Sequence, residues 1–171
     1  MEQGKEAKRT EKKEGGKRKK RGTGGKMTYA VSTSIQACEA SSEAAMVKSV
    51  NLEPCNDELC TLQGGNSYTY YVKFTTERNI EKVYLKAKAD LVVWIPVPLQ
   101  DANGCRALSG QKCPLVAGQT YTVAMTINIQ EGTPQVRAVI KLEMTAPNDV
   151  QVFCTEVPAQ LYYLSLYRLA T

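Results

Sequence analysis

The sequence predicts an all-β protein, an immunoglobulin-like sandwich of two antiparallel sheets preceded by a basic tail. Three observations support this prediction. Apolar residues alternate with polar ones from Val47 onward, turn-forming residues separate these runs at intervals of roughly ten residues, and all six cysteines lie between Cys38 and Cys154. About seven short strands of this kind are typical of a sandwich. No amphipathic helix pattern competes with them.

Each alternating run places one apolar face inward and a more polar face outward, as antiparallel strands with one buried side do. The residues predicted to face inward are Tyr68, Tyr70, Val72 and Phe74, then Val83, Leu85, Ala87 and Ala89, then Tyr121, Val123, Met125, Ile127 and Ile129, and finally Val136, Ala138, Ile140, Leu142 and Met144. Turn-forming clusters such as Gly64–Asn66 and Gly132–Pro134 separate the runs. Several inward positions are Ala or Val, which fill less volume than Leu or Phe would. The alternation by itself favours a close-packed core with a function on the surface. An under-filled interior, whose apolar void would bind apolar molecules, is the alternative.

The segment Leu91–Leu99 breaks this alternation. Almost every residue in it is apolar, and Pro96 and Pro98 prevent ordinary ladder pairing. The pattern alone supports two interpretations equally. The segment is either a core strand that leaves the sheet at an edge, or an apolar lip where the sandwich opens.

The basic character of the chain comes from its start. Residues 1–26 contain 11 of the 22 basic and 4 of the 17 acidic residues, a net charge of +7, which leaves the rest of the chain at −2. We therefore predict a disordered basic tail over residues 1–30, a folded domain over residues 31–162 and a C-terminal extension over residues 163–171. The run Lys17–Arg21 suggests nuclear targeting or nucleic-acid contact, but a solvated tail is favoured because no aromatic residue interleaves the charges. No nucleic-acid partner is expected.

The six cysteines indicate disulfides. Four residues separate Cys55 from Cys60 and seven separate Cys105 from Cys113, which fits zinc-binding spacings poorly, and the chain has no histidine. Spacing alone leaves fifteen pairings open. Disulfides imply an oxidising compartment, yet no apolar run near the start resembles a signal peptide. The favoured explanation is that the basic tail is an artefact standing in place of a signal peptide; retention in the cytosol is the alternative.

The composition favours binding over catalysis. Without histidine there is no Ser-His or Cys-His dyad and no histidine general base. No glycine-rich phosphate loop occurs, and no acidic pair stands out. We therefore expect no enzymatic activity, no metal and no cofactor.

A series of short motifs, taken in order, resembles the ML (lipid-recognition) domain family, with its sterol-transfer members nearest. The motifs are Val50–Leu62 with its two cysteines, Gly65–Tyr68, Ile95–Leu99, Asn103–Cys105, Cys113–Leu115, Gly118–Tyr121 and Phe153–Leu161. The resemblance covers residues 37–162. Each motif is weak by itself, and the ordered set is specific.

The resemblance implies a two-sheet sandwich with the disulfides Cys38–Cys154, Cys55–Cys60 and Cys105–Cys113. It also implies a soluble, monomeric carrier that holds a sterol between its sheets and transfers it in the endosomal or lysosomal lumen or outside the cell. A membrane-protein acceptor and transient membrane contact would be its partners. The positions that match the family's lipid pocket are Tyr68, Val72, Leu99, Tyr121, Ile129, Thr133, Pro134, Val136 and Leu142.

The chain departs from the family's sterol carriers in its pocket. Leu99, Thr133 and Leu142 lie at positions where those proteins have large aromatic side chains. Because these side chains are smaller, the pocket entrance is expected to be wider, or a flat steroid to be bound less tightly. Fatty acids or other small hydrophobic molecules are therefore alternative ligands. A lipid-sensing co-receptor of innate immunity is an alternative function from another class.

Overall fold

The computed structural model describes residues 36–38, 44–55 and 59–162 of the chain. These residues form nine strands and one 3-10 helix, which confirms the all-β prediction. The strands are β1 (Gln36–Ala37), β2 (Ala45–Glu53), β3 (Cys60–Gln63), β4 (Ser67–Thr76), β5 (Tyr84–Asp90), β6 (Trp94–Val97), β7 (Thr120–Asn128), β8 (Arg137–Ala146) and β9 (Val150–Tyr162), and the 3-10 helix covers Pro147–Asp149. The predicted tail over residues 1–30 and the extension over residues 163–171 lie outside the described residues.

The strands form two sheets. The larger has the order β1-β9-β8-β5-β6, with β3 also paired to β9, and the smaller has the order β2-β4-β7. β6 ends the larger sheet and β7 ends the smaller one. Residues of both strands line one cavity between the sheets, so these two edges lie on the same side of the molecule. Solvent and small molecules can therefore enter the space between the sheets at these two edges.

One pairing differs from the antiparallel prediction. β3 runs parallel to β9, with Cys60 opposite Ala159 and Leu62 opposite Leu161. β9 has β8 along one edge, while the short strands β1 and β3 share its other edge. Pro158 lies between the stretches that pair with β1 and β3. Proline has no N–H to donate, and it is tolerated there because neither short strand pairs with this position. It separates the antiparallel stretch from the parallel one.

The inward faces follow the predicted alternation and meet in one core. Its tightest part lies where β4 and β7 face β9. Phe74 stacks with Tyr121 at a ring-centroid distance of 6.0 Å and packs against Phe153 at 4.9 Å. All three rings are buried. We call this part of the interior, together with Leu85 and Met144, the aromatic end.

The three disulfides are those that the family resemblance implies: Cys38–Cys154, Cys55–Cys60 and Cys105–Cys113. The first joins the start of the described chain to β9 across 116 residues. A bridge that closes so long a loop stabilises a fold by roughly 4–5 kcal/mol in the chain-entropy account. The last closes the loop between β6 and β7, which covers part of the β7 edge.

Candidate functional site

An apolar cavity of about 190 Å³ opens between the two sheets at their β6 and β7 edges. Both sheets contribute to its walls, and eleven of its fourteen lining residues are apolar. They are Ala89, Leu91, Ile95, Pro96, Val97, Pro98, Ile127, Ile129, Ala138, Ile140 and Leu161, with Asn128, Gln130 and Thr133 at the polar rim. Such a site offers dispersion contacts and exclusion of water rather than charge.

The position of the opening follows from how the β7 edge is covered. The loop after β6 bonds to the first half of this edge: Ala124 N–H donates to the Ala107 carbonyl at 2.9 Å, and Ser109 N–H donates to the Thr122 carbonyl at 2.8 Å. Among the described residues, no backbone bond continues this cover along Thr126 and Asn128. The second half of β7 is therefore open beside β6, and the cavity lies there.

Small side chains on the larger sheet create the space. Ala89 on β5 pairs with Ile140, and Ala138 on β8 pairs with Ala159 on β9. All four are buried, and three of them are lining residues. Alanine fills less of the layer between two sheets, about 10 Å thick, than leucine or phenylalanine. Of the three alanines that the sequence places inward, Ala89 and Ala138 border the cavity, and Ala87 lies deeper.

The structure places five of the nine predicted pocket residues at or beside this cavity. Ile129 and Thr133 line it. Leu99 follows the lining residue Pro98 and is half-buried against the core. Val136 is half-buried, and its carbonyl accepts a hydrogen bond from Leu161 N–H at 2.9 Å. Pro134 is exposed next to Thr133.

The other four predicted residues, Tyr68, Val72, Tyr121 and Leu142, are core residues. Tyr68 is nearest to the cavity, since it pairs with Ile127, and its hydroxyl accepts a hydrogen bond from Gln63 N–H at 2.8 Å. Tyr121 belongs to the aromatic end. The predicted set thus runs through the length of the interior, and its role in holding a ligand stays a prediction.

Sequence reasoning did not assign most of the apolar lining to the site. The signal was present in Leu91–Leu99, which supplies Leu91 and the four residues Ile95–Pro98 of the lining. The segment forms an edge strand that is mostly exposed, so the interpretation as a core strand is wrong. It lies at the opening of the cavity, as the other interpretation expects. The contributions of Ile127, Ile140 and Leu161 depend on how the sheets face each other, which no local pattern reveals.

The sequence and the fold were compared with known proteins. The family model of the ML domain matches residues 32–161. The chain belongs to the ML domain family.

Among its relatives, the NPC intracellular cholesterol transporter 2 of Canis lupus familiaris is 30% identical over 126 residues, which cover 72% of this chain and 82% of that protein. The mite group 2 allergen Tyr p 2 of Tyrophagus putrescentiae is 28% identical over 105 residues, 61% of this chain and 72% of the allergen. A Niemann-Pick type C2 protein from the Japanese carpenter ant matches in structure with a TM-score of 0.66 and 25% identity, covering 75% of this chain and 98% of the ant protein. One of these proteins is named as a transporter and one as an allergen, and none of the three is named as an enzyme.

Beside the cavity of this ML domain, the loop from β5 to β6 and the first residues of β6 present apolar side chains to solvent. Val92 is 97% exposed, Val93 is 66% exposed, and Trp94 and Ile95 are exposed too. Val92 has a φ of 134°, in the region that β-branched residues rarely adopt. Its N–H donates to the Asp90 carboxylate at 3.1 Å, which helps to hold this turn. We call residues 92–95 the apolar tip.

Charged side chains on the outer face of the larger sheet pair with each other rather than with the cavity. Lys141 lies 3.7 Å from Glu143 and 3.6 Å from Glu156, and its ammonium group is 5.2 Å from the centre of the Trp94 ring. Lys88 contacts Glu143 at 3.4 Å. These partly exposed pairs hold Trp94 against the sheet and leave the cavity without a facing charge.

The described residues contain no group of three or more His, Cys, Asp or Glu side chains that could hold a metal ion. Within the same residues, every buried side-chain nitrogen or oxygen has a hydrogen-bond partner. They also include no helix that is long and apolar enough to cross a membrane.

Proposed function

We propose that this ML domain carries a sterol, or another small apolar lipid, between its two sheets and transfers it from one membrane or protein to another. The cavity at the β6 and β7 edges is the observation that carries the proposal, because both sheets line it with apolar side chains and it opens to solvent. The name of the dog relative, a cholesterol transporter, supports a sterol as the leading ligand.

A sterol needs more room than the cavity holds. At about 190 Å³ the cavity exceeds the roughly 150 Å³ apolar void that binds benzene, but it is smaller than ligand pockets of about 300–1,000 Å³. Binding therefore requires the sheets to part. Among the described strands, β6 pairs with β5 alone. Within the same part of the chain, the second half of β7 pairs with β4 alone, because the loop after β6 bonds only to its first half. β6 and the second half of β7 can therefore move outward without breaking a pairing to a further segment.

The expected gain is large enough to drive this movement. A ligand that buries on the order of 500 Å² of apolar surface gains roughly 12 kcal/mol before the costs of association. Those costs amount to several kcal/mol or more, and parting the sheets adds to them. Submicromolar binding is the outcome we expect.

The proposed setting is a secreted or endosomal or lysosomal one, with the protein as a monomer. Three disulfides support this setting, because such bonds persist in oxidising compartments. A membrane-protein acceptor belongs to the same proposal.

Saturation binding of a fluorescent sterol tests the ligand. We expect one-to-one binding that unlabelled cholesterol displaces. The variant Ala138→Leu fills the cavity and should weaken binding at least about tenfold, which corresponds to 1.4 kcal/mol. Ala117→Leu, in an exposed turn between the strands, is the matched control and should bind as the unmodified protein does.

Fatty acids of several chain lengths serve as competitors in the same assay. If they displace the probe and sterols do not, the ligand class changes and the carrier function stands. If neither class binds, the proposed function is wrong.

We further propose that the apolar tip makes the transient membrane contact. Val92 and Val93 are the most exposed large apolar side chains described, and they lie beside the cavity mouth. An apolar loop that enters the headgroup region gains free energy with the apolar area it buries, and the cavity mouth would then face the membrane.

The double variant Val92→Ser and Val93→Ser tests this contact through the rate of sterol transfer to phosphatidylcholine vesicles. We expect a fall of about tenfold, since each buried valine contributes on the order of 1 kcal/mol, with unchanged sterol affinity in solution. Val150→Ser removes a half-exposed valine at the start of β9 and should leave the rate unchanged. Equal rates for all three proteins would exclude the tip as the contact.

A further inference from the structure

Two hydroxyl groups meet in the middle of the apolar core. The Tyr70 hydroxyl on β4 lies 3.1 Å from the Thr155 hydroxyl on β9, so this hydrogen bond crosses from one sheet to the other. Both residues are completely buried. Among the other buried hydroxyl-bearing residues of the described chain, Thr76 and Thr145 lie at or near the ends of their strands. Tyr68 and Tyr121 are also buried, but their hydroxyls accept hydrogen bonds from the backbone N–H groups of Gln63 and Val116. Tyr70 and Thr155 thus place a pair of side-chain hydroxyls between the sheets, in the central part of the core.

The pair lies one step deeper than the cavity. On β7, Met125 lies two residues inward from the lining residue Ile127, and it pairs with Tyr70. On β8, Leu142 lies two residues inward from the lining residue Ile140, and it pairs with Thr155. Two residues of a strand span about 6.6 Å. The hydroxyls therefore lie at the next level of side chains behind the cavity.

This level of the core contains small and flexible side chains. Ala87, two residues inward from Ala89, fills little space there, and Met125 has a flexible side chain that adopts several shapes at low cost. The aromatic end begins beyond it. A ligand larger than the cavity that enters from the mouth extends toward Tyr70 and Thr155 first.

The pair has unused hydrogen-bonding capacity. Each hydroxyl can donate one hydrogen bond, so the single bond between them leaves one O–H free to donate. Within the described part of the chain, each of the two hydroxyls makes one hydrogen bond, and that bond is to the other hydroxyl. Burial raises the pKa of Tyr70 above its ordinary value, with Thr155 acting against this rise and Glu156 adding to it. The phenol therefore keeps its proton at neutral pH.

We propose that Tyr70 and Thr155 form the inner end of the ligand site and bind a hydroxyl or carbonyl group at the buried end of the lipid. This inference rests on the proposed carrier function and narrows its ligand class. A lipid that ends in a neutral hydrogen-bonding group satisfies the free O–H when it arrives. A purely hydrocarbon end separates the hydroxyls without replacing their hydrogen bond. Polar-ended lipids are thereby preferred.

The test uses two probes: cholesterol, and cholesterol with an added hydroxyl at the end of its side chain. The second probe has a hydroxyl at both ends, so it presents one to Tyr70 and Thr155 in either orientation. We expect Tyr70→Phe and Thr155→Val each to weaken its binding about tenfold, the effect of losing one buried hydrogen bond. Tyr71→Phe, the same change on the adjacent residue of β4, is the matched control and should leave the affinity unchanged.

The cholesterol measurement separates this inference from the proposed function. If the unmodified protein binds both probes and neither Tyr70→Phe nor Thr155→Val weakens binding of the doubly hydroxylated one, the inner polar site is excluded while the carrier function stands. If neither probe binds, this inference is overturned, and the carrier function then stands only if fatty acids bind. Should a variant not fold, the unmodified protein still decides: equal affinity for the doubly hydroxylated probe and for a sterane skeleton without hydroxyls overturns the inference.

Discussion

The two ends of the sandwich interior contain different kinds of side chain. At the aromatic end, Phe74 packs against Tyr121 and Phe153, and no lining residue of the cavity comes from this part of the core. At the other end, Ala89 and Ala138 stand on the larger sheet, and a cavity of about 190 Å³ remains. Large aromatic side chains thus fill the interior at one end of the sandwich, and small side chains leave a cavity at the other.

The difference shows how one fold combines stability with access. A close-packed interior resists deformation, so we expect the aromatic end to hold the sheets together if a ligand parts them at the other end. The edges of β6 and β7 lie at the cavity, and the loop closed by Cys105–Cys113 covers the rest of β7. We expect a ligand to part the sheets only at the cavity end, with the aromatic end acting as the pivot.

The largest expected effect comes from shortening two side chains of the same strand. Met144 and Ile140 are both buried on the inner face of β8, Met144 at the aromatic end and Ile140 at the cavity. Met144→Ala should lower the free energy of unfolding by about 3–5 kcal/mol, and Ile140→Ala by only about 2 kcal/mol, because side chains beside a void lose fewer contacts. Denaturant unfolding with the disulfides intact measures both.

Ligand binding provides the second measurement for the same pair. Met144→Ala should keep its affinity for sterol, whereas Ile140→Ala alters the cavity wall and should change it. Equal losses of stability together with equal affinities would show that the two ends do not differ, and would remove the basis for a pivot.

A smaller effect is expected in the loop that covers the first half of β7. The Asp101 carboxylate accepts hydrogen bonds from the Arg106 guanidinium and from Asn103 N–H. The Arg106 interaction, followed by the Asn103 bond, lowers the pKa of Asp101 to about 2. Since the folded-state pKa lies below the ordinary value of 3.8, this carboxylate stabilises the fold above that value, and the contribution disappears as the pH falls toward 2.

Thermal unfolding of Asp101→Asn against the unmodified protein measures this contribution. We expect a slightly lower melting temperature at neutral pH and the same melting temperature near pH 2. The exposed position of the ion pair keeps the effect small. A difference that persisted unchanged at the lowest pH would show that the carboxylate charge is not its cause.

Much of the fold could be predicted from local patterns. The alternation of Tyr68 with Thr69, or of Ile140 with Lys141, sets which side of a strand faces the core, because successive side chains of a strand point to opposite faces. The turns that end the runs are visible as glycine and proline clusters. β1 and β3, with two and four residues, are too short to show a period, and the parallel pairing of β3 depends on where β9 lies.

The site was less accessible to such reasoning. Ile129 and Thr133 line the cavity as the family resemblance implies, while Tyr121 and Val72 belong to the closed core. No pattern along one strand reveals that Ile127, Ile140 and Leu161, which lie on three different strands, border the same space. Likewise, Tyr70 reads as one more inward aromatic residue until Thr155 is seen opposite its hydroxyl.

By itself, the sequence determined the alternating strands, the inward alanines and the prolines of Leu91–Leu99, because each of these follows from the chemistry of neighbouring residues. The tertiary structure alone decided that β6 and β7 end their sheets on the same side, that the alanines face an open edge, and that two hydroxyls meet behind the cavity. Those features depend on which strands pair and at what register, and pairing joins residues that are far apart along the chain.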